Sequence, residues 1–340
     1  MGVEHVVSVS GGKDSTALYL LAMERGRPFK AVFADTDNEH PWTYEAVRDL
    51  PRVTGGPEIQ WVKADFSHRL ANKAKFVAEK WPLHGISADK VERAVAALRP
   101  SGNAFLDLYL WKGRFPSTRV RFCTEELKIV PMWEQVQFPA IQRGSALMSW
   151  QGVRAQESFA RAQLPKMQRL ELPYGMKVPA AIRDGTVRYR AWAYRPLLDW
   201  KLEDVWAMHA RHGVKRNPLY DEGMSRVGCM PCIMANKDEL RTIAAKFPAE
   251  IERIAEWEEL ARHASKRGIG SFMSVCSDPK VGRGVTTEEL RAQGGYTIHD
   301  AVDWSRTSRG GLQKSLLLHP AIEFNTPCNQ WGACEAGEAA

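Results

Sequence analysis

Six residues near the start of the chain, Ser10-Gly11-Gly12-Lys13-Asp14-Ser15, are of types and at a spacing that can hold phosphate. The apolar run "VVSV" precedes them and the helix-like run "ALYLLAMER" follows. A strand, a glycine turn and a helix start make an anion site, because free backbone N–H groups and the positive helix end attract phosphate. Glycine lets the backbone approach closely and reach positive φ. Lys13 adds a point charge for a phosphate oxygen. Asp14 either caps the helix or faces a metal-bound pyrophosphate, and Ser10 and Ser15 add hydroxyls. The spacing fits neither the Walker A loop, which has a longer spacer before its Gly-Lys pair, nor the dinucleotide fingerprint, which needs a third glycine.

The thiols are the second group with chemistry. The cysteines are Cys123, Cys229, Cys232, Cys276, Cys328 and Cys334. Cys229 and Cys232 form a C-x-x-C pair in "GCMPC", and Cys328 and Cys334 form a second close pair in "CNQWGAC". Together they supply the four thiolates that a [4Fe–4S] cluster or a structural zinc requires. An iron–sulfur cluster is the expectation, with zinc as the alternative, because spacing does not select the metal. Cys123 stands alone and is a candidate for sulfur chemistry, whereas Cys276 reads as unliganded. Arg121, Lys128, Arg154 and Arg161 lie in glycine- or turn-flanked stretches. A guanidinium there is suited to bidentate contact with phosphate or sulfate. The stretch "RDGTVRYRAWAYR" interleaves arginines with aromatics. It reads either as a nucleic-acid surface or, more plainly, as a strand with one wet face.

The elements that position these residues alternate. "EHVVSVS", "FKAVFADT" and "IQWVKADF" read as strands, with helices "DSTALYLLAMER" and "PWTYEAVRDL" between them. Strand–helix–strand alternation implies a parallel sheet with right-handed crossovers. Asp35 then falls at the carboxyl end of the second strand, where open α/β sheets bind ligands. "ALMSWQGVRAQES" and "TVRYRAWAYRPLL" supply later strands, and "LEDVWAMHARHG" a helix. The expected organisation is a nucleotide-binding domain over 1–214, a Cys-rich domain over 215–335 and a disordered tail over 336–340. The 47 Lys and Arg against 40 Asp and Glu give a net charge of +7, which favours anionic partners. No apolar run approaches the ~20 residues of a membrane span, and no signal peptide opens the chain. The expected location is cytoplasmic and the expected partners include no membrane.

The order of these motifs resembles a known family. "SGGKDS" after a strand is similar to the pyrophosphate loop of the N-type ATP pyrophosphatases. "DTDNEHPWTYEAV", "RFCTEELKIVP", "GVRAQESFAR", "RPLLDWKLEDVW" and "NPLYDEGMSRVGCMPC" resemble, in order, segments of its phosphoadenosine-phosphosulfate (PAPS) reductase-like branch. The motifs look closest to the DNA-phosphorothioation and phage-encoded members. The resemblance implies an α/β fold of the adenine nucleotide alpha hydrolase-like type: an open parallel sheet with helices on both faces, plus a smaller Cys-rich region. It implies that Ser10 to Ser15, Asp35, Arg121, Lys128, Arg154 and Arg161 bind ATP with Mg²⁺. Lys13 and Asp14 would serve cleavage of the α–β bond, with Cys123 aiding sulfur transfer to an activated acceptor. A sulfur donor such as a cysteine desulfurase and a nucleic acid as acceptor are the partners this implies, and a homodimer is one arrangement of the chain. Two departures stand out. Phe122 replaces the first cysteine of the family's Arg-Cys-Cys segment, and the chain ends without the Glu-Cys-Gly-Leu-His segment of sulfonucleotide reductases. The alternatives are therefore a PAPS or adenylylsulfate reductase, and a non-catalytic module that binds nucleotide or nucleic acid.

Overall fold

A computed structural model describes residues 2–118, 120–172, 179–273 and 296–307. Cys276, Cys328, Cys334 and the expected tail lie outside the described residues. The chain begins β1 (Val3–Val9), α1 (Lys13–Glu24), β2 (Phe29–Asp35), α2 (Pro41–Thr54) and β3 (Ile59–Lys63). Three helices follow: α3 (Ser67–Lys80), α4 (Ala88–Ala97) and α5 (Ala104–Lys112). A further helix covers 122–142, then come β4 (Ala146–Trp150), β5 (Met167–Arg169) and β6 (Ala191–Tyr194). Helices Leu202–Arg211, Lys237–Lys246, Pro248–Ala264 and Ile298–Ser305 complete the described chain.

The six strands form one sheet in the order β3-β2-β1-β4-β6-β5. Every pairing is parallel except that of the edge strand β5, which runs antiparallel to β6. The strand order reverses between β1 and β4, and crevices at such reversals bind ligands. The loops that open there are those after Val9 and after Trp150.

Alternation along each strand divides the core between the two faces. Val7 and Val9 pack with Ala17, Leu18 and Leu20 of α1 on one face. Val6, Val32 and Leu147 pack with Ile129, Trp133 and Ile141 of the 122–142 helix on the other. That helix contains two π segments, Glu125–Ile129 and Trp133–Gln137. Each ends shortly before a proline, Pro131 or Pro139, which removes a backbone donor from the ladder.

A third core is built from helices and the loops between them, without a strand. It joins Leu70 and Val77 of α3 and Leu108 and Leu110 of α5 to Ile254, Ala261 and Ile298. Residues on both sides of position 214 therefore share one hydrophobic cluster. Glu258 ties this layer together. It is fully buried and accepts N–H bonds from Phe272 at 2.7 Å and Ile298 at 2.9 Å. Burial pushes its carboxyl up to about 7, opposed by the two N–H donors and Arg262 and reinforced by Asp300. The folded state thus holds the proton more tightly than the unfolded chain. The stability it contributes is present below the ordinary value of 4.5 and is lost as pH rises through about 7. We expect the difference between wild-type and Glu258→Gln melting curves to slope across that window by up to about 1.4 kcal/mol per pH unit. A pH-independent difference would show that Glu258 does not titrate there.

Candidate nucleotide site

The loop after β1 is built around Gly11, whose φ is +73°. A Cβ at Gly11 would lie 2.7 Å from Thr43 Cγ2, so close packing as well as backbone geometry demands glycine. Ser15 Oγ accepts from Ser10 N–H at 3.0 Å and donates to the Gly12 carbonyl at 3.0 Å, which closes the turn on itself. Gly12 is the N-cap of α1 and contributes no side-chain cap.

Residues 209–225 hold the loop from behind. The Lys13 N–H donates to the Tyr220 hydroxyl at 2.9 Å, and Lys13 Nζ donates to the Ser225 carbonyl at 3.1 Å. His209 Nε2 lies 2.8 Å from the Lys13 carbonyl. A carbonyl only accepts, so Nε2 carries the proton, and burial holds the ring below its ordinary pKa. Asn217 Nδ2 donates to the Gly11 carbonyl at 3.3 Å. Sequence reasoning gives no role to His209, Asn217, Tyr220 or Ser225. The stretch "NPLYDEGMSRVGCMPC" was the signal, since it contains three of these four residues.

The loop after β4 closes the other side. A Cβ at Gly152 would meet the Asp14 carbonyl carbon at 3.2 Å, so this backbone lies directly on the start of α1. Arg154 Nε donates to Asp14 Oδ1, and both side chains are at most 3% exposed. Glu157 Oε2 accepts from the Arg154 N–H at 2.8 Å and from Arg161 Nη1 at 2.5 Å. Arg154 and Arg161 are therefore buried structural partners of carboxylates, not surface cations. Glu157 holds the Arg161 guanidinium in place. Asp14 neither caps α1 nor stands open, because its carboxylate meets Arg154.

On the sheet face opposite α1, a cleft includes Ser10, Thr36, Arg121, Cys123, Lys128, Arg226, Cys229 and Cys232 in its lining. It unites the serine of the phosphate loop with two sequence-predicted cations and the three described thiols. Arg226 was missed by the sequence reading. Its Nε lies 3.3 Å from Glu239 Oε2, which fixes its stem. The C-x-x-C loop docks on the turn after β2 through Met230 N–H to the Asn38 carbonyl at 2.6 Å and Asn38 Nδ2 to the Pro231 carbonyl at 3.0 Å. Asp35 accepts from the Tyr44 hydroxyl at 2.9 Å and sits beside this junction, at the end of β2. Glu39 is buried and its carboxyl is raised by that burial, against the pull of Lys128. Burial likewise pushes the Cys229 thiol up, again opposed by Lys128, so Lys128 is the cation nearest both groups in effect.

Among the described residues, Cys123, Cys229 and Cys232 form no disulfide. Their sulfurs act on the hydroxyl of Tyr109, which is fully buried, raised mainly by burial and without a hydrogen-bond partner. Among the described residues, no group of three or more His, Cys, Asp or Glu side chains is arranged to hold a metal ion. Cys328 and Cys334, two of the four expected ligands, fall outside those residues. The arginine-rich stretch 183–195 has its plain reading: Ala191 and Ala193 are buried, and Trp192 and Tyr194 are half-buried on the opposite face. Arg195 is buried, donates to the Pro165 carbonyl at 2.9 Å and is lowered by burial to about 10. Among the described residues, no helix is long and apolar enough to cross a membrane.

A parallel sheet with a glycine phosphate loop at its switch point is a nucleotide-binding α/β fold. Residues 4–235 match the phosphoadenosine phosphosulfate reductase domain, and the chain belongs to that family. It is 44% identical over 346 residues to the 37.8 kDa protein of the gpa 5′ region of Escherichia phage 186, covering 97% of this chain and 96% of that one. It is 32% identical over 84 residues to adenosine 5′-phosphosulfate reductase of Allochromatium vinosum, covering 25% of this chain and 27% of that enzyme. Among solved structures, a phosphoadenylyl-sulfate reductase from Candida auris in a phosphate complex aligns with a TM-score of 0.37 at 18% identity, over 66% of this chain and 80% of that one.

Proposed function

We propose that the protein is an ATP pyrophosphatase that cleaves the α–β bond of ATP and adenylates an acceptor for sulfur transfer. The observation that carries this reading is the intact loop, with Gly11 at positive φ and Lys13 at the start of α1, opening beside a cleft lined by cations and thiols. The acceptor's nucleophilic atom attacks the α phosphorus and the α–β bridging oxygen departs with pyrophosphate. The loop N–H groups and Lys13 neutralise charge that grows on that leaving group. Mg²⁺ enters bound to the nucleotide and lowers the charge of its phosphates. Arg121 and Lys128 orient the nucleotide along the cleft, while Asp14, Arg154, Glu157 and Arg161 hold the loop rigid. In the second half-reaction a Cys123 persulfide, charged by the sulfur donor, attacks the adenylated atom and expels AMP; a second thiol then attacks the Cys123 sulfur, leaving the sulfur on the acceptor and a disulfide that an external thiol reduces. A cysteine desulfurase is one donor of that sulfur and a nucleic acid one acceptor.

The test is the identity of the products. ATP with Mg²⁺ and a mixed nucleic-acid acceptor should yield AMP and pyrophosphate. Thioredoxin-dependent release of sulfite from a sulfonucleotide, without pyrophosphate, would make the protein a reductase. Nucleotide binding without any turnover would make it a binding module.

An iron–sulfur cluster on Cys229, Cys232, Cys328 and Cys334, with zinc as the alternative metal, belongs to the same proposal. Its support is the C-x-x-C pair at the cleft and the unpartnered Tyr109 hydroxyl beside the thiols. No step above passes through it. Anaerobically purified protein should be brown with about four irons per chain. Serine at any of the four positions should remove the colour. Retention of iron in Cys328→Ser and Cys334→Ser, with loss in Cys123→Ser, would transfer the site to Cys123.

A further inference from the structure

Glu239 is the third residue of the helix Lys237–Lys246, and its side chain is 3% exposed. Part of its work is local. The Glu239 N–H donates to Asn236 Oδ1 at 2.8 Å, and Glu239 Oε2 accepts from the Asn236 N–H at 3.1 Å. A capping box asks no more of its glutamate than this exchange. Glu239 has two further partners. Its Oε1 accepts from the Ser225 hydroxyl at 2.5 Å, and its Oε2 accepts from Arg226 Nε at 3.3 Å. The Ser225 carbonyl in turn accepts from Lys13 Nζ at 3.1 Å. One buried carboxylate therefore reaches Arg226 directly and the phosphate-loop lysine through a single residue.

The Arg226 side chain is 12% exposed, and it lines the cleft together with Ser10, Arg121 and Lys128. Three cations stand against one carboxylate in that lining, so the surface stays positive although Glu239 belongs to it. A carboxylate beside an anion site repels the ligand unless its charge is spent on cations. Here it is spent on Arg226 and on the residue that holds Lys13. A guanidinium tied to a carboxylate through Nε has a fixed plane, and a fixed plane suits bidentate contact with phosphate. We propose that Arg226 is a further phosphate-binding residue of this site, taking the phosphate next to the one held by Lys13. Glu239 is the positioning residue for both cations and touches no phosphate itself. The proposal rests on the reading of the loop as a pyrophosphate site, but it does not require that ATP be cleaved.

The test is isothermal titration calorimetry of inorganic pyrophosphate with the full chain. Arg226→Ala should weaken binding about tenfold or more, through loss of a hydrogen bond to a charged group. Guanidinium chloride, added well below denaturing concentration, should restore affinity in Arg226→Ala but not in Lys13→Ala. Arg226→Lys should recover only part of the loss, because lysine keeps the charge and not the fork. Glu239→Ala should weaken binding more than Arg226→Ala, because it releases both cations. The effects of Arg226→Ala and Glu239→Ala should not add in the double variant, as expected of residues that act through one another. Should Glu239→Ala fail to fold, Glu239→Gln carries the same expectation of weakened binding. Wild-type affinity in Arg226→Ala, with binding lost in Lys13→Ala, would overturn the proposal and leave the loop reading intact. A Glu239→Gln protein that melts lower but binds pyrophosphate like wild type would reduce Glu239 to a helix cap. A wild-type chain that does not bind pyrophosphate would overturn the loop reading and the proposal together.

Discussion

Asp14→Ala should cost the protein its stability as well as its activity. The substitution leaves Arg154 buried at 2% exposure with its carboxylate partner gone. Breaking a buried pair from one side typically costs about 3–5 kcal/mol, because the remaining charge has lost both water and partner. For a domain of this size that corresponds to a fall in melting temperature on the order of 10 °C. The sequence alone offered Asp14 as a helix cap or as a group facing a metal-bound pyrophosphate, and neither reading makes it half of a buried ion pair. A double variant, Asp14→Ala/Arg154→Met, separates the two roles. It should recover much of the lost stability, because an apolar side chain of similar length replaces the stranded charge. It should not recover pyrophosphate release. An Asp14→Ala protein that melts like wild type would remove the buried pair from the account.

Lys13→Ala should have the largest effect on turnover. Lys13 is 2% exposed and its amine donates to the Ser225 carbonyl, at the edge of the loop where pyrophosphate would leave. Loss of one charged contact to a developing anion costs roughly 10²-fold or more in rate. The loss should fall on kcat, because the charge it opposes develops in the transition state. Pyrophosphate release at the wild-type rate would exclude Lys13 from the reaction.

These two neighbours show what a sequence exposes and what it conceals. The loop was legible because glycines, a cation and a helix start are all local features. β1, β2, β3 and β4 were legible because each is an apolar run bounded by turn residues. The partner of Asp14 was not, since Arg154 stands 140 residues away and nothing local marks the pairing. His209, 196 residues from Lys13, looked like any histidine on an amphipathic helix. β5 is three residues long and antiparallel, too short for a periodic pattern to register. The boundary expected at 214 followed the change in composition. Hydrophobic packing follows volume instead, and it joins α3 and α5 to helices that arrive much later in the chain.

The support of the phosphate loop by residues 209–225 also sets an order in time. The loop is among the first segments a ribosome makes, but Asn217, Tyr220 and Ser225, which grip Gly11 and Lys13, come about two hundred residues later. At ~5–20 residues per second, synthesis of the intervening chain takes roughly ten to forty seconds. Throughout that interval a nascent sheet carries the glycine turn without its rear wall. The loop thus gains its rear wall only with the segment that also brings Cys229 and Cys232 to the cleft.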